Sequence, residues 1–229
     1  MKLSYFGHAA CLLETEGAKL LFDPFLSGND HCTIDPKTVK CDYILLTHAH
    51  DDHVGDTIEI AKANDATVIA NNELASFLSE KHDLKVEPMH IGGGINLPFG
   101  RVKLTIAFHG SSYPGEDGLP IYLGMPAGII VESGGTCFYH AGDTALFGDM
   151  KLIGEMHNIG LAMLPIGDRF TMGPEDAAKA TELLNPKYVV PIHYNTFALI
   201  EQDPSGFAEA AHDLGVIPYI MECGDAVEF

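Results

Sequence analysis

The sequence predicts an α/β fold made of two sheets with helices on their outer faces. Three observations lead there: strand and helix patterns alternate in two separate stretches, a strand-rich stretch lies between them, and polar residues collect where apolar runs end. No internal repeat is visible at the residue level, and no stretch rich in Pro, Gly or Ser marks a boundary. The expectation is one domain spanning 1–229.

The opening "KLSYFGHAACLLETEGAKLLFDPF" places two apolar segments around the turn-like "TEGAK", a strand, hairpin and strand pattern. "CDYILLTH" is a continuous apolar run of strand length that stops at histidines. "GDTIEIAKAN" then has helical spacing with Asp56 as its cap, "ATVIA" returns to strand, and "NNELASFLSEKH" is a second amphipathic helix. From residue 84 to 140 strands and turns take over, with "VEPMHI", "RVKLTIAFH", "AGIIVES" and "TCFYHAGD", the last two joined by "SGG" as a hairpin. The Gly92 to Gly94 run lacks the Lys and Ser or Thr of a phosphate loop and reads as a turn. Alternation resumes with "MKLIGEMHNIG" as helix, "LAMLPI" as strand, a helix from Pro174 to Leu184, "KYVVPIH" as strand and "PSGFAEAAHDLG" as helix. Pro174 and the acids after it suit a first helical turn. The short strands "IPYIM" and "AVEF" close the chain.

Composition narrows the function classes. Apolar residues make up 46% and charged residues 20% of the 229 residues, which is ordinary globular usage. No apolar run approaches the ~20 residues that a membrane-spanning helix needs. Glu14, Glu16 and Lys19 interrupt any leader-like stretch, so the cytoplasm is the expected location. The net charge of −19, with only 13 Lys and Arg, repels phosphate backbones and disfavours nucleic acid as a partner. A small-molecule substrate is the expected partner, without a membrane, and a homo-oligomer is left open. Five scattered cysteines without a C-x-x-C pair read as reduced and mostly buried thiols.

The chemistry concentrates in "THAHDDHVGD", where His48, His50, Asp52 and His53 lie within six residues. In a strand, residues two apart face one side, so His48 and His50 can present imidazoles to one point. Nitrogen and oxygen donors without cysteine suit Zn, Mn, Ni or Fe. Further donors stand at other strand ends: His109 after "LTIAF", Asp143 after "CFYHAG" and His193 after "VVPI".

With these residues in order, the sequence resembles the metallo-β-lactamase superfamily through its H-x-H-x-D-H motif. More closely, it is similar to a small prokaryotic family of metal-dependent hydrolases related to the L-ascorbate-6-phosphate lactonases. The segments "YFGHAACLLE", "LFDPFLSGN", "THAHDDHVGD", "FHGSS", "FYHAGDT", "LPIGDRFTMGPEDA" and "PIHYNTF" carry the likeness. The resemblance implies a four-layer αββα sandwich and two divalent metal ions, Zn or Mn foremost and Ni or Fe as alternatives. It implies His48, His50 and His109 on one ion, Asp52, His53 and His193 on the other, and Asp143 between them, with Asp52 and Asp143 as the catalytic carboxylates. The implied activity is water activation against a small ester, lactone or phosphodiester.

The surrounding residues carry weaker assignments. His8, His140 and Thr171 are candidate substrate contacts. Packing or hydrogen-bonding roles stand beside each, and a positioning role beside His140. Met172 and Gly173 could line the pocket before the helix at Pro174. Asp23 reads as a brace for the metal loop or as a turn carboxylate. His31, His82, His90, His157 and His212 receive no role. Ribonuclease-type phosphodiesterase, oxygen-reducing diiron protein and non-catalytic metal-binding module are the competing classes. The first lacks an RNA-gripping arm here, and the second lacks a flavin domain.

Overall fold

The computed structural model describes residues 1–229. In chain order the strands are β1 Lys2–Gly7, β2 Ala10–Glu14, β3 Lys19–Phe22, β4 Tyr43–Leu45, β5 Thr67–Asn71, β6 Val86–Met89, β7 Gly94–Leu97, β8 Gly100–Ile106, β9 Ser112–Pro114, β10 Pro120–Tyr122, β11 Ala127–Ser133, β12 Thr136–His140, β13 Ile159–Pro165, β14 Tyr188–Ile192, β15 Ile217–Pro218 and β16 Ala226–Glu228. The α-helices are α1 Asp51–Val54, α2 Thr57–Asn64, α3 Asn72–His82, α4 Met150–Met156, α5 Pro174–Leu184 and α6 Ser205–Asp213. None is long and apolar enough to cross a membrane.

The strands form two seven-stranded sheets, ordered β16-β1-β2-β3-β4-β5-β6 and β15-β14-β13-β12-β11-β8-β7, with β9 and β10 as a separate hairpin. Each sheet is antiparallel in one half and parallel in the other. Alternate residues of nearly every central strand are apolar on both faces, because both faces are covered. Leu20, Phe22, Leu45 and Ile69 of the first sheet meet Leu104, Ile129, Phe138 and Val190 of the second in the core between the sheets. Leu21, Ile44 and Val68 face outward onto α2 and α3 residues such as Ile60 and Leu74. Ile130, Ala162 and Val189 face outward onto Ile153, Ala177 and Phe207 of α4, α5 and α6. This is the expected four-layer αββα sandwich.

Three local expectations need correction. The first apolar segment is two strands, folded back at Gly7–Ala9, where His8 takes a left-handed φ of 55°. A Cβ at Gly7, itself at φ 95°, would lie 2.7 Å from Asn29 Nδ2, so the corner requires glycine. Second, β4 ends at Leu45, so His48 and His50 lie in the loop before α1 and converge through loop geometry. Third, Asp56 does not cap α2 with its side chain. Its carboxylate accepts from the backbone N–H groups of Leu26 and Ser27 and from the Ser27 hydroxyl, at 2.9, 2.8 and 2.6 Å, and so ties the loop after β3 to the start of α2.

Candidate metal centre

The polar residues gather beyond the C-terminal ends of β3, β4, β8, β12 and β14, where the loops leave the two sheets on one edge. Parallel strands point their carboxyl ends to a common side, so side chains far apart in sequence converge there. His48 Nε2 lies 2.9 Å from His50 Nδ1, and both rings sit about 5 Å centre to centre from that of His109. These three form one group able to hold a metal ion, and His8, Asp52, His53 and His193 form a second.

Asp143 stands between the groups. Its Oδ2 lies 3.1 Å from His193 Nε2, 3.4 Å from His109 Nε2 and 4.0 Å from His48 Nε2, while Oδ1 lies 3.3 Å from His53 Nε2. Every residue expected as a metal ligand from the sequence is therefore in the cluster. His53 Nε2, both ring nitrogens of His193 and Asp143 Oδ1 are buried without a hydrogen-bond partner. Buried polar atoms are seldom left so, and several aimed at one space, all nitrogen or oxygen, fit divalent cations.

Asp23 at the end of β3 orients the donors. It is fully buried, at a left-handed φ of 38°, and its carboxylate accepts from the Thr47 amide at 2.9 Å, the Thr47 hydroxyl at 2.6 Å and His53 Nδ1 at 2.7 Å. The Thr47 oxygen in turn accepts from His48 Nδ1 at 3.0 Å. Both imidazoles thus keep a proton on Nδ1 and turn Nε2 into the cluster as the ligating nitrogen, the arrangement that fixes ligand orientation in metal sites. Of the two roles open for Asp23 in the sequence, the brace is the one the structure contains. Thr47 received no role from the sequence, although its place directly before His48 was the available signal.

His8 is buried and bridges segments. Its Nε2 donates to Asp52 Oδ2 at 3.2 Å, its Nδ1 accepts from the Thr196 hydroxyl at 2.9 Å, and its carbonyl accepts from the His193 amide at 2.9 Å and the Tyr5 hydroxyl at 3.0 Å. The residue also borders a cavity of about 690 Å³ with Tyr194, Thr196 and Cys223. Thr196 is a second residue the sequence left without a role.

His140 needs correction as a substrate contact. It is fully buried, donates from Nε2 to Ala9 O at 2.9 Å, and accepts the Gly142 amide on Nδ1 at 3.1 Å. Both nitrogens are consumed, and the ring stacks on Phe22. It joins the corner that carries His8 to the loop that carries Asp143, which is a positioning role. Thr171 gives its hydroxyl to the Met172 carbonyl at 3.2 Å and is outside both ligand groups. Met172 is packed in the core under α5. Gly173 caps α5, with Asp168 Oδ1 2.9 Å from where a Cβ would stand. Among the histidines without a role, His157 pairs with Glu132 at 2.8 Å on β11.

Electrostatics divides the cluster. Burial holds His48 well below the ordinary imidazole range, with the nearby His53 adding to it, and burial also lowers His50 and His109. Burial acts in the same direction on His53 and His193, but Asp143 together with Asp23 at the first and with Asp52 at the second outweighs it, raising His53 and lifting His193 to about 9. Burial would raise Asp143 and Asp52. The histidines around them prevail, His193 first in each case, and hold both carboxyls well below the usual range.

A family model described as a Beta-lactamase superfamily domain matches residues 18–194. The UPF0173 metal-dependent hydrolase of Bacillus velezensis is 57% identical over 229 residues, covering 100% of this chain and 99% of the relative. The chain belongs to the UPF0173 family of the β-lactamase superfamily. The UPF0173 metal-dependent hydrolase of Bacillus subtilis is 56% identical with full coverage of both chains. Among solved structures, the metallo hydrolase Igni18 of the archaeon Ignicoccus hospitalis superposes with a TM-score of 0.89 at 37% identity, covering 100% of this chain and 98% of that one. These UPF0173 relatives are named for metal-dependent hydrolysis, and none of them supports the expected kinship to L-ascorbate-6-phosphate lactonases.

Proposed function

We propose that the chain is a binuclear metal-dependent hydrolase acting on a small ester, lactone or phosphodiester. The observation that carries this reading is the pair of donor groups sharing one buried carboxylate, Asp143. His48, His50 and His109 would hold one divalent ion and Asp52, His53 and His193 the other, with Asp143 touching both. Two such ions supply a water acidic enough to act as nucleophile near neutral pH and a positive field for the oxygen that gains charge.

The chain's own residues supply the geometry. Asp143, its carboxylate ionised and held by His140 through the Gly142 amide, is placed to accept a hydrogen bond from the attacking water and fix its direction. Asp52 is ionised and aimed by His8. Asp23 keeps two imidazoles in the ligating tautomer, so no ring flip accompanies turnover. Half-buried His50 and His109 lie on the more open side. A space of about 380 Å³ lined by His50, Asp52, Tyr113 and Leu119 opens onto His50 beside the β9–β10 hairpin. Its modest size and the acidic chain support a small substrate over RNA.

The test is the initial rate of bis(p-nitrophenyl) phosphate hydrolysis, followed by lactones and carboxylic esters, by chelator-stripped protein reloaded with Mn, Zn, Ni or Fe. Metal-dependent turnover that disappears in His50→Ala is expected. Absence of turnover on all three substrate classes with every metal would overturn the reading in favour of a non-catalytic metal-binding module.

A further inference from the structure

Two cysteines remote in sequence meet beside the His8 corner. Cys32, in the irregular loop after β3, and Cys223, in the turn before β16, are 191 residues apart, yet their sulfurs lie 3.6 Å from one another. Both are half-buried, whereas Cys11, Cys41 and Cys137 are buried. Cys223 borders the cavity of about 690 Å³ that His8 and His31 also border, so a small solute can approach Cys223 from that side.

Each cysteine belongs to a turn that holds the same corner. The Cys32 amide donates to Asn29 O at 2.9 Å, and Asn29 is the buried side chain packed against Gly7. On the other side, the Gly224 amide donates to Tyr5 O and the Tyr5 amide to Asp225 O, both at 2.8 Å, while the Tyr5 hydroxyl donates to His8 O. The pair therefore clamps the two segments that flank His8, which in turn aims Asp52.

We propose that Cys32 and Cys223 are a reversible thiol–disulfide site, closed by peroxide-class oxidants, that staples the loop after β3 to the C-terminal turn over the His8 corner. Sulfurs at van der Waals contact are one short approach from the ~2.05 Å of a disulfide. The Cys223 sulfur attacks one peroxide oxygen: an S–O bond forms, the O–O bond breaks, and the thiol proton leaves with the departing oxygen as water. The Cys32 sulfur then attacks the sulfenic sulfur. The S–S bond forms, the S–O bond breaks, and a second water carries away the Cys32 proton, so the two thiols are oxidised by two electrons and the peroxide is reduced. Burial pushes Cys32 up to about 11, so its sulfur is held as the thiol at neutral pH.

The experiment treats full-length, zinc-loaded protein with a modest excess of hydrogen peroxide, blocks remaining thiols with iodoacetamide and maps peptides without reduction. The expected result is a Cys32–Cys223 linked peptide, with alkylatable thiols in denaturant falling from five to three, the pair being removed from the total. A linkage closing so long a loop should raise the thermal midpoint by roughly 5–10 °C, reversed by dithiothreitol. Cys32→Ser and Cys223→Ser should each abolish the linked peptide and the shift while keeping the far-UV circular dichroism of the parent. Disulfides between chains, links to Cys11, Cys41 or Cys137, or sulfinic acid at Cys223 with no link would overturn the proposal. No readout depends on hydrolysis, so the result stands apart from the proposed activity.

Discussion

The two donor groups use different chemistry to hold their shape. The group of His48, His50 and His109 contains only imidazoles, and burial keeps them poor bases. The group of His8, Asp52, His53 and His193 places rings against carboxylates, and there His53 and His193 are drawn toward the protonated form. The first is preorganised by backbone and by the Thr47 hydroxyl, whereas the second also has an internal charge balance that an incoming cation must replace. Two pockets a few ångströms apart should thus differ in the conditions under which they fill.

The largest effect on this contrast is expected from Asp143→Asn, since Asp143 contacts both groups. Hydrolysis should fall about 10²–10³-fold, the loss typical of removing one group acting on the reacting atoms. Metal analysis should find both pockets depleted, and full activity with both ions retained would refute the shared role. His50→Ala and His193→Ala should each empty their own pocket only, read by metal-to-protein ratio after gel filtration. If either variant emptied both, the pockets would be one cooperative site.

Asp23→Asn sharpens the contrast further. It deprives His53 Nδ1 of its carboxylate and should weaken metal affinity about 10–100-fold, with the greater loss in the pocket of His53. Competition titration with a chromophoric chelator measures both affinities. His140→Leu should affect the pockets equally, because it strands the Ala9 carbonyl and the Gly142 amide; a destabilisation of about 1–3 kcal/mol is expected in urea unfolding.

The smallest effect is a proton count. With His193 at about 9 and His53 raised, metal-free protein at pH 7 carries protons in the second pocket that a cation displaces. Loading at pH 7 should release more protons than loading at pH 10, where His193 is already largely neutral. Calorimetry in buffers of different ionisation enthalpy reads the difference.

The sequence makes the layers legible because sheets covered on both faces leave continuous apolar runs, as in "AGIIV", and because Pro174 opens a helix with an ordinary first-turn signal. The donor set is legible because seven polar residues at strand exits are costly to place by accident. Backbone direction is what escapes sequence reading. His8, Asp23 and His193 all adopt left-handed φ, which non-glycine residues rarely do, and these kinks decide that His8 meets Asp52 and that Asp23 reaches Thr47. The placement of His140 escapes for the same reason: it depends on Ala9, 131 residues away in the corner between β1 and β2.

That span bears on how the protein acquires its ions during synthesis. The cluster at residues 48–53 emerges early, but the contacts that shape the cavity join residues separated by 44, 131 and 188 positions. Such long-range closures form late in folding, because chain entropy opposes them until most of the core exists. A nascent chain therefore offers only a loose histidine cluster, able to hold a cation no more than weakly. Any choice among ions would fall to the finished sandwich, with its fixed distances and tautomers.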